Sequence, residues 1–185
     1  MQFGKKLWCV VGCASLVGAL HLWPGISAQS AVGDNTKNRR VIYQGDTYAV
    51  EMEHPSAWSE GRQMVAFTAP MEPGMPFLEN VNLLVEDISG LPSMALPTYI
   101  AQSKANLATS VVGFSVESEG RTQLSDLNAH YMVYTGWSGV IQLKYFQVLA
   151  LKGDKGYVLT YTAEVGQYDP QRADVRACMD SVVIR

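Results

Sequence analysis

The segment Val140–Lys152 constrains the fold most, because it is apolar on both faces of a predicted strand. One face holds Ile141, Leu143, Tyr145, Leu149 and Leu151, and the middle of the other holds Phe146, Val148 and Ala150. This pattern is typical of a central strand that is covered on both sides. Gly153–Gly156 predicts a tight turn, after which Gly156–Glu164 pairs back. We therefore expect a sheet with packing layers on both faces.

Further strands are predicted on both sides of this segment. Alternating apolar residues start at Thr47 and end at His54-Pro55-Ser56, and Arg62–Ala69 and Asn80–Asp87 give a second and a third strand. In the third strand Val81, Leu83 and Val85 are expected to point inward. Phe114–Leu124 and Leu127–Thr135 predict a hairpin around Ser125-Asp126, and Gly136–Gly139 predicts another turn.

Two helices are predicted from apolar residues at three- and four-residue steps. The first runs from Leu96 through Tyr99 and Val111, with Pro97 in its first turn and Gly113 at its end. The second begins with Asp169 as N-cap and Pro170, and its apolar stripe is Val175, Met179, Val182 and Val183. The sequence therefore predicts an α+β domain with a mainly antiparallel sheet and helices packed on it.

The N-terminus is typical of a secretory signal peptide, residues 1–28. Lys5 and Lys6 precede the apolar segment Leu7–Trp23, and Pro24-Gly25 and small residues lead to a predicted cleavage after Ala28. Two alternatives stay open, an uncleaved membrane anchor and lipidation at Cys13. Residues 29–46 are polar, which predicts a flexible segment that leads into a domain at 47–185.

The mature chain is expected to be a single acidic domain. Removing 28 of 185 residues leaves 157, and the loss of Lys5 and Lys6 leaves 12 basic against 17 acidic residues, a net charge of −5. This balance argues against nucleic-acid binding, which needs a basic face. Cys178 alone remains, so no internal disulfide is possible, and we expect its thiol to be buried on a helix.

No catalytic residue is predicted, and we expect a protein that is not an enzyme. Gly136-Trp137-Ser138-Gly139 resembles a nucleophile elbow, but the fifth residue is Val140 and a strand follows instead of a helix. His130 lacks an identifiable nucleophile and orienting partner, so a structural role is favoured.

No cofactor or metal site is predicted either. Glu51, Glu53 and His54, with Glu86 and Asp87 on another strand, offer metal ligands, but strand alternation places His54 opposite the two glutamates. Asn80 and Asn82 alternate with the inward residues of their strand. They either bond a neighbouring loop or face a ligand, and the structural role is favoured.

Aromatic side chains supply the best material for a partner surface. Most of them are expected to pack between sheet and helix, namely Tyr131, Tyr134, Tyr145, Tyr157 and Tyr161. Trp58 and Trp137 are both predicted in turns, and Tyr and Trp are enriched where proteins bind one another. We therefore predict Trp58 and Trp137 as partner-binding residues.

The order of elements resembles the PsbP-like fold, an α/β/α sandwich, and in particular its bacterial DcrB-like exported domains. The resemblance covers about Tyr48–Ile184. It is carried by four motifs and by the helix around Tyr99: Asn80–Asp87, Ala129–Gly136, Tyr157–Glu164 and Met179–Ile184, the last matching a closing helix. Ala95 stands where relatives place a hydroxyl or acidic helix cap, and Ser125-Asp126 stands where they often have glycine.

The resemblance implies an exported, non-catalytic accessory role at an envelope or membrane protein complex, in the periplasm or outside the cell. In photosynthetic relatives it implies a lumenal subunit of photosystem II, which is a minor alternative here. A small-molecule or divalent-metal binding protein, with its site between sheet and helix, is the other alternative. Membrane contact is expected only through an uncleaved or lipidated N-terminus.

Overall fold

The computed structural model describes residues 27–30, 38–44, 48–55, 59–60, 65–70, 76–89 and 94–185. Strands dominate these residues, and they form two antiparallel sheets. The smaller sheet has the order β1-β2-β3-β11, with β1 Ser27–Ser30, β2 Asn38–Gln44, β3 Ala49–Pro55 and β11 Val183–Ile184. The predicted cleavage after Ala28 falls within β1 and stays a prediction.

The larger sheet has seven strands in the order β4-β5-β6-β10-β9-β8-β7. Its strands are β4 Ser59–Glu60, β5 Val65–Thr68, β6 Asn80–Asp87, β7 Val112–Leu124, β8 Leu127–Ser138, β9 Ile141–Lys152 and β10 Lys155–Glu164. The two strands predicted from the most apolar segments, β9 and β10, lie side by side within it. All eight inner residues of β10 are buried, so this strand is covered on both faces.

The two helices, α1 Leu96–Ser110 and α2 Ala173–Asp180, lie on opposite faces of the larger sheet. Leu149 and Val158 are directly opposite each other and cluster with Tyr99 of α1. Val148 and Leu159, one residue along and therefore on the other face, cluster with α2 and with the smaller sheet. We call these faces the α1 side and the α2 side. The predicted α+β layers are confirmed.

The sequence predicted a flexible segment at residues 29–46, and the structure differs from this prediction. The structure has β2 there, paired along its whole length with β3. Val41 and Tyr43 alternate on one face and are 1% and 5% exposed. Val41 and Tyr43 form a short period-two pattern, which the many polar residues before Arg39 obscure.

The ends of several elements also differ from prediction. α1 ends at Ser110, before Gly113, which lies in β7 with φ of +67°. Strand β8 continues to Ser138, so the turn is at Gly139-Val140 and Trp137 lies in a strand. α2 begins only at Ala173, because Asp169 caps a turn by accepting a hydrogen bond from the Gln171 amide at 3.0 Å.

The chain's last residues form a strand where the sequence predicted a helix. Val183 and Ile184 pair with Glu51 and Val50 of β3. Ile184 is buried and Val183 is 37% exposed. Val183 and Ile184 fit the apolar face of a helix or a short strand equally well. They form a strand because the edge of β3 offers free backbone hydrogen-bonding groups.

The thiol of Cys178 is buried on α2, as predicted. Burial, with a smaller effect of the Asp174 charge, raises its pKa to about 12. The thiolate is therefore scarce at neutral pH, and the side chain acts as a small apolar residue. Among the described residues, neither helix has the length and apolar character needed to span a bilayer.

Candidate functional site

Four exposed apolar side chains gather at one end of the larger sheet. Val112 is 71% exposed, Trp137 44%, Val140 93% and Val165 43%. We call this group the uncharged end surface. Large apolar side chains are usually buried, so a cluster of exposed ones indicates a binding surface.

Strand pairing brings these residues together from three parts of the chain. Val112 of β7 is opposite Trp137 of β8, and Trp137 is opposite Gln142 of β9. The Val165 amide, just after β10, donates to the Gln142 carbonyl at 3.1 Å. Val140 lies in the turn that joins β8 to β9. Val112, Trp137 and Val165 thus lie side by side across the strand ends, and Val140 lies in the turn beyond them.

Gly113 supports the indole ring of Trp137. A Cβ atom on Gly113 would lie 2.7 Å from Trp137 Cδ1, which is closer than carbon atoms approach. The φ of +67° at Gly113 is also a conformation that side chains disfavour. The glycine that the sequence assigned to the helix end instead lets the ring lie against the β7 backbone.

The chain segments that form this surface contain no charged residue. The three contributing segments, residues 111–116, 135–142 and 165–168, contain no Asp, Glu, Lys, Arg or His. Such a surface has no group for acid–base chemistry, but it loses little solvation energy when an apolar partner covers it. The arrangement suits binding.

The other predicted partner residue, Trp58, lies outside the described residues. Ser138 ends strand β8 and is followed by a turn to another strand, so the strand-to-helix elbow of hydrolases is not formed there. His130 Nε2 lies 3.1 Å from Glu119 Oε2, and Lys104 Nζ donates to the other oxygen of Glu119 at 2.7 Å. The hydrogen bond from Lys104, and then that from His130, lowers the pKa of Glu119.

The structure does not bring the candidate metal ligands into one site. Glu51 pairs with Arg40 and, at 2.9 Å, with Arg185. His54 is buried and stacks on Phe67 with 4.2 Å between ring centroids. Glu86 accepts a hydrogen bond from the Tyr99 hydroxyl at 2.6 Å, on the α1 side of the larger sheet. No three potential metal ligands of the His, Cys, Asp and Glu types gather among the described residues.

Asn80 and Asn82 are buried on the α1 side. Their exposed fractions are 7% and 3%. Asn82 Nδ2 donates to Asn80 Oδ1 at 3.2 Å, and Asn80 Nδ2 donates to the Leu78 carbonyl at 3.1 Å. Asn80 therefore bonds the segment that leads into its own strand, whereas Asn82 bonds Asn80. Strand alternation did not reveal their burial, because burial depends on what packs against this face in the tertiary structure.

A charged network on the α2 side was missed by the sequence analysis. The Tyr161 hydroxyl donates to Glu79, and Arg172 Nη2 pairs with Glu79 Oε2 at 2.7 Å. Arg172 Nε also binds Asp174 Oδ1 at 2.6 Å. Burial first, and then the bond to Glu79, raises the pKa of Tyr161. Tyr161 and Glu79 are 82 residues apart, so no local pattern predicts the contact.

No protein-family model matches the chain, and no curated protein matches it significantly in sequence. Solved structures do match. LpqN of Mycobacterium tuberculosis, described as involved in cell envelope biogenesis, aligns with a TM-score of 0.56 and 10% identity over 86% of this chain and 91% of its own.

Two further structures share the fold. Cyanobacterial PsbP of Synechocystis aligns with a TM-score of 0.52 and 13% identity over 95% of this chain and 99% of its own. PA94 of Pseudomonas aeruginosa, a protein of unknown function, aligns with a TM-score of 0.50 and 16% identity over 69% of this chain and 84% of its own. At these identities the likeness concerns the fold, and the chain has the PsbP-like fold that its sequence predicted.

Proposed function

We propose that this chain is an exported, non-enzymatic accessory protein that binds an envelope or membrane protein complex through the uncharged end surface. Export is supported by the basic and apolar pattern of Lys5, Lys6 and Leu7–Trp23. An accessory role is supported by a described surface that is suited to binding and offers no acid–base group.

The observation that carries this proposal is the exposure of Trp137, at 44%, within a surface free of charge. The centres of protein interfaces are depleted in charged residues and enriched in aromatic ones. Burial of apolar surface stabilises a complex by about 25 cal/mol per Å² before the costs of association. The partner that fits is an apolar, uncharged segment of another protein.

The structural neighbours are consistent with an envelope role, although fold alone does not establish function. LpqN is described as involved in cell envelope biogenesis. The photosystem II alternative rests on likeness to PsbP alone. A divalent-metal function has less support, because Glu51, His54 and Glu86 each contact other residues, and Glu86 lies in the other sheet from Glu51 and His54.

A site-specific crosslink tests the proposal in the native host. A photoreactive amino acid replaces Val140, which is 93% exposed. This substitution leaves Trp137 unchanged. We expect one predominant adduct with an envelope or membrane protein. Adding Trp137→Ala to the same chain should reduce its yield at least tenfold, while circular dichroism shows an unchanged fold.

The control places the same photoreactive residue at Asn128, an exposed position at the other end of β8. That position should give no such adduct. Equal adducts from both positions, or a yield unaffected by Trp137→Ala, would reject the surface as the binding site. Adducts with lipid alone would reject a protein partner in favour of a membrane surface.

A further inference from the structure

The two edges of the larger sheet differ in length. One edge is β4, with 2 residues, and the other is β7, with 13. Within the described part of the chain, β7 pairs with β8 on one side and with no strand on the other. Proteins usually protect such an edge with a short strand, a proline, a lysine or a covering element. β7 contains neither proline nor lysine, and its residues from Ser118 to Gln123 are exposed or half-exposed. This edge is therefore open to pairing with another strand.

The hairpin register shows which backbone groups of β7 point outward. A two-residue turn joins Leu124 and Leu127, which are opposite each other. In a turn of this kind the carbonyl of the first flanking residue accepts a hydrogen bond from the amide of the second. Hydrogen-bonded and non-bonded pairs alternate from there along an antiparallel pair of strands. Glu119, Arg121 and Gln123 therefore direct their amide and carbonyl groups away from β8.

Two of these three residues carry opposite charges. Glu119 and Arg121 are both exposed, and they share a face of the sheet because they are two positions apart. Glu119 binds Lys104 Nζ and His130 Nε2, which lower its pKa, so its carboxylate is ionised at neutral pH. A carboxylate has room for further donors. Arg121 has no ion pair within the described part of the chain.

A second copy of β7 matches this charge pattern. When a twofold axis relates two identical strands, they run antiparallel, and residue i opposes residue j while j opposes i. With the axis at Gly120, Glu119 of each copy lies opposite Arg121 of the other. These residues also direct their free backbone groups outward, so this register forms hydrogen bonds and two ion pairs together. An axis at Glu119 or at Arg121 would instead place like charges opposite each other.

The opposite face of β7 adds an aromatic contact at the same axis. Tyr131 of β8 is opposite Gly120, and a Cβ atom on Gly120 would lie 2.9 Å from Tyr131 Cε1. The Tyr131 ring therefore covers the glycine and reaches the edge of the sheet. In the paired arrangement the Tyr131 rings of the two copies lie on one face, on either side of the axis. Aromatic rings supply much of the apolar contact in protein interfaces.

We propose that this chain forms a twofold symmetric dimer in which β7 pairs with β7 of a second copy, with Gly120 at the axis and Glu119 opposite Arg121. The two larger sheets then form one continuous sheet. A strand of an unrelated protein fits less well, because the charges of β7 complement β7 itself. The proposal does not depend on the uncharged end surface, because Trp137 is opposite Val112, outside the paired residues.

Sedimentation velocity of the protein produced in its native host tests the dimer. We expect a monomer–dimer equilibrium, with the mass of two chains at high concentration. Arg121→Glu places acidic residues opposite each other, and it should weaken dimerisation by about tenfold or more. Arg176→Glu is the matched control, because it makes the same charge change on α2, where Arg176 is 41% exposed and pairs with Asp180. It should leave dimerisation unchanged.

A mixture of two variants tests the register. Glu119→Arg and Arg121→Glu should each associate weakly with themselves. Mixed in equal amounts they should form a heterodimer, because every acidic residue then lies opposite a basic one. Energy transfer between differently labelled variants measures this association. Circular dichroism checks the fold of each variant, and recovery in the mixture shows that both are competent to bind.

The proposal is overturned if the protein stays monomeric at every concentration, if Arg121→Glu dimerises as well as the wild type, or if the mixture does not associate. Trp137→Ala should leave the dimer intact, and its loss would show that the copies meet through the uncharged end surface instead. A photoreactive residue at Gln123 should crosslink two copies of the chain. A crosslink to another protein alone would show that this edge takes a foreign strand, and the dimer would be rejected.

Discussion

The hydroxyl of Tyr99 lies 2.5 Å from the position that a Cβ atom on Gly156 would occupy. Tyr99 is on α1 and Gly156 is near the start of β10, so the helix approaches the sheet backbone directly at this point. The same hydroxyl donates to Glu86 on the neighbouring strand at 2.6 Å. Only glycine allows this approach, and the contact sets the distance between α1 and the sheet.

Gly156→Ala should therefore destabilise the fold. The added methyl group would displace the Tyr99 ring and weaken its bond to Glu86, and overpacking of this kind costs about 1–3 kcal/mol. Urea denaturation measures the loss of unfolding free energy. Gly166→Ala is the control, because nothing lies within 4 Å of its Cβ position. Equal stability of the two variants would show that α1 shifts freely.

Tyr161→Phe should lower the stability of the fold and Tyr168→Phe should not, although the two rings stack with 5.5 Å between centroids. The Tyr161 hydroxyl donates to Glu79, and loss of a hydrogen bond to a charged group costs about 1.5–3 kcal/mol. The Tyr168 hydroxyl is buried and has no hydrogen-bond partner among the described residues, so its removal should be neutral or stabilising. Thermal unfolding of both variants measures this difference. A loss of stability in Tyr168→Phe as large as in Tyr161→Phe would contradict it.

Ala95→Ser should stabilise the protein by about 1 kcal/mol. Ala95 is the N-cap of α1 in an extended conformation, and it makes no side-chain capping bond. A serine hydroxyl at this position can accept a hydrogen bond from a free amide of the first turn. Ala101→Ser, at an exposed position inside α1, is the matched control and should cost a few tenths of a kcal/mol. The prediction fails if the two serines shift the urea midpoint in the same direction.

The salt bridge between Arg172 and Asp174 should make stability depend on acidic pH. Burial alone would raise the pKa of Asp174, but the hydrogen bonds and charge of Arg172 lower it below the usual value of 3.8. Below about that pH the unfolded chain binds a proton that the native chain does not, so this part of the stability is lost as the pH falls through the folded-state pKa.

The measurement compares unfolding free energies of the wild type and Asp174→Asn between pH 6 and pH 3. Asparagine does not titrate, so the variant should lose less stability on acidification. Arg172→Met should behave similarly, because Asp174 then loses the partner that lowers its pKa. Equal losses in all three chains would exclude Asp174 as a contributor.

Several elements follow from local sequence alone. The period-two pattern in Asn80–Asp87 gave the bounds of β6, and Ser125-Asp126 located the turn between β7 and β8. Alternation predicts strands well because side chains on successive residues point to opposite faces of a sheet. The run of apolar residues in β9 similarly indicated a strand covered on both faces. These patterns were enough for the fold class and the PsbP-like resemblance.

The candidate sites depended on contacts between distant residues. The uncharged end surface combines residues near positions 112, 137 and 165, and Trp137 was predicted in a turn because its two flanking glycines suggested one. Burial of Asn82 became visible only in the tertiary structure. The pairing of Val183 with Glu51 likewise made a strand of residues whose local pattern suited a helix. Periodicity in the sequence determines which residues can share a face, whereas strand order and helix placement determine what covers that face, because they join segments that are far apart in the chain.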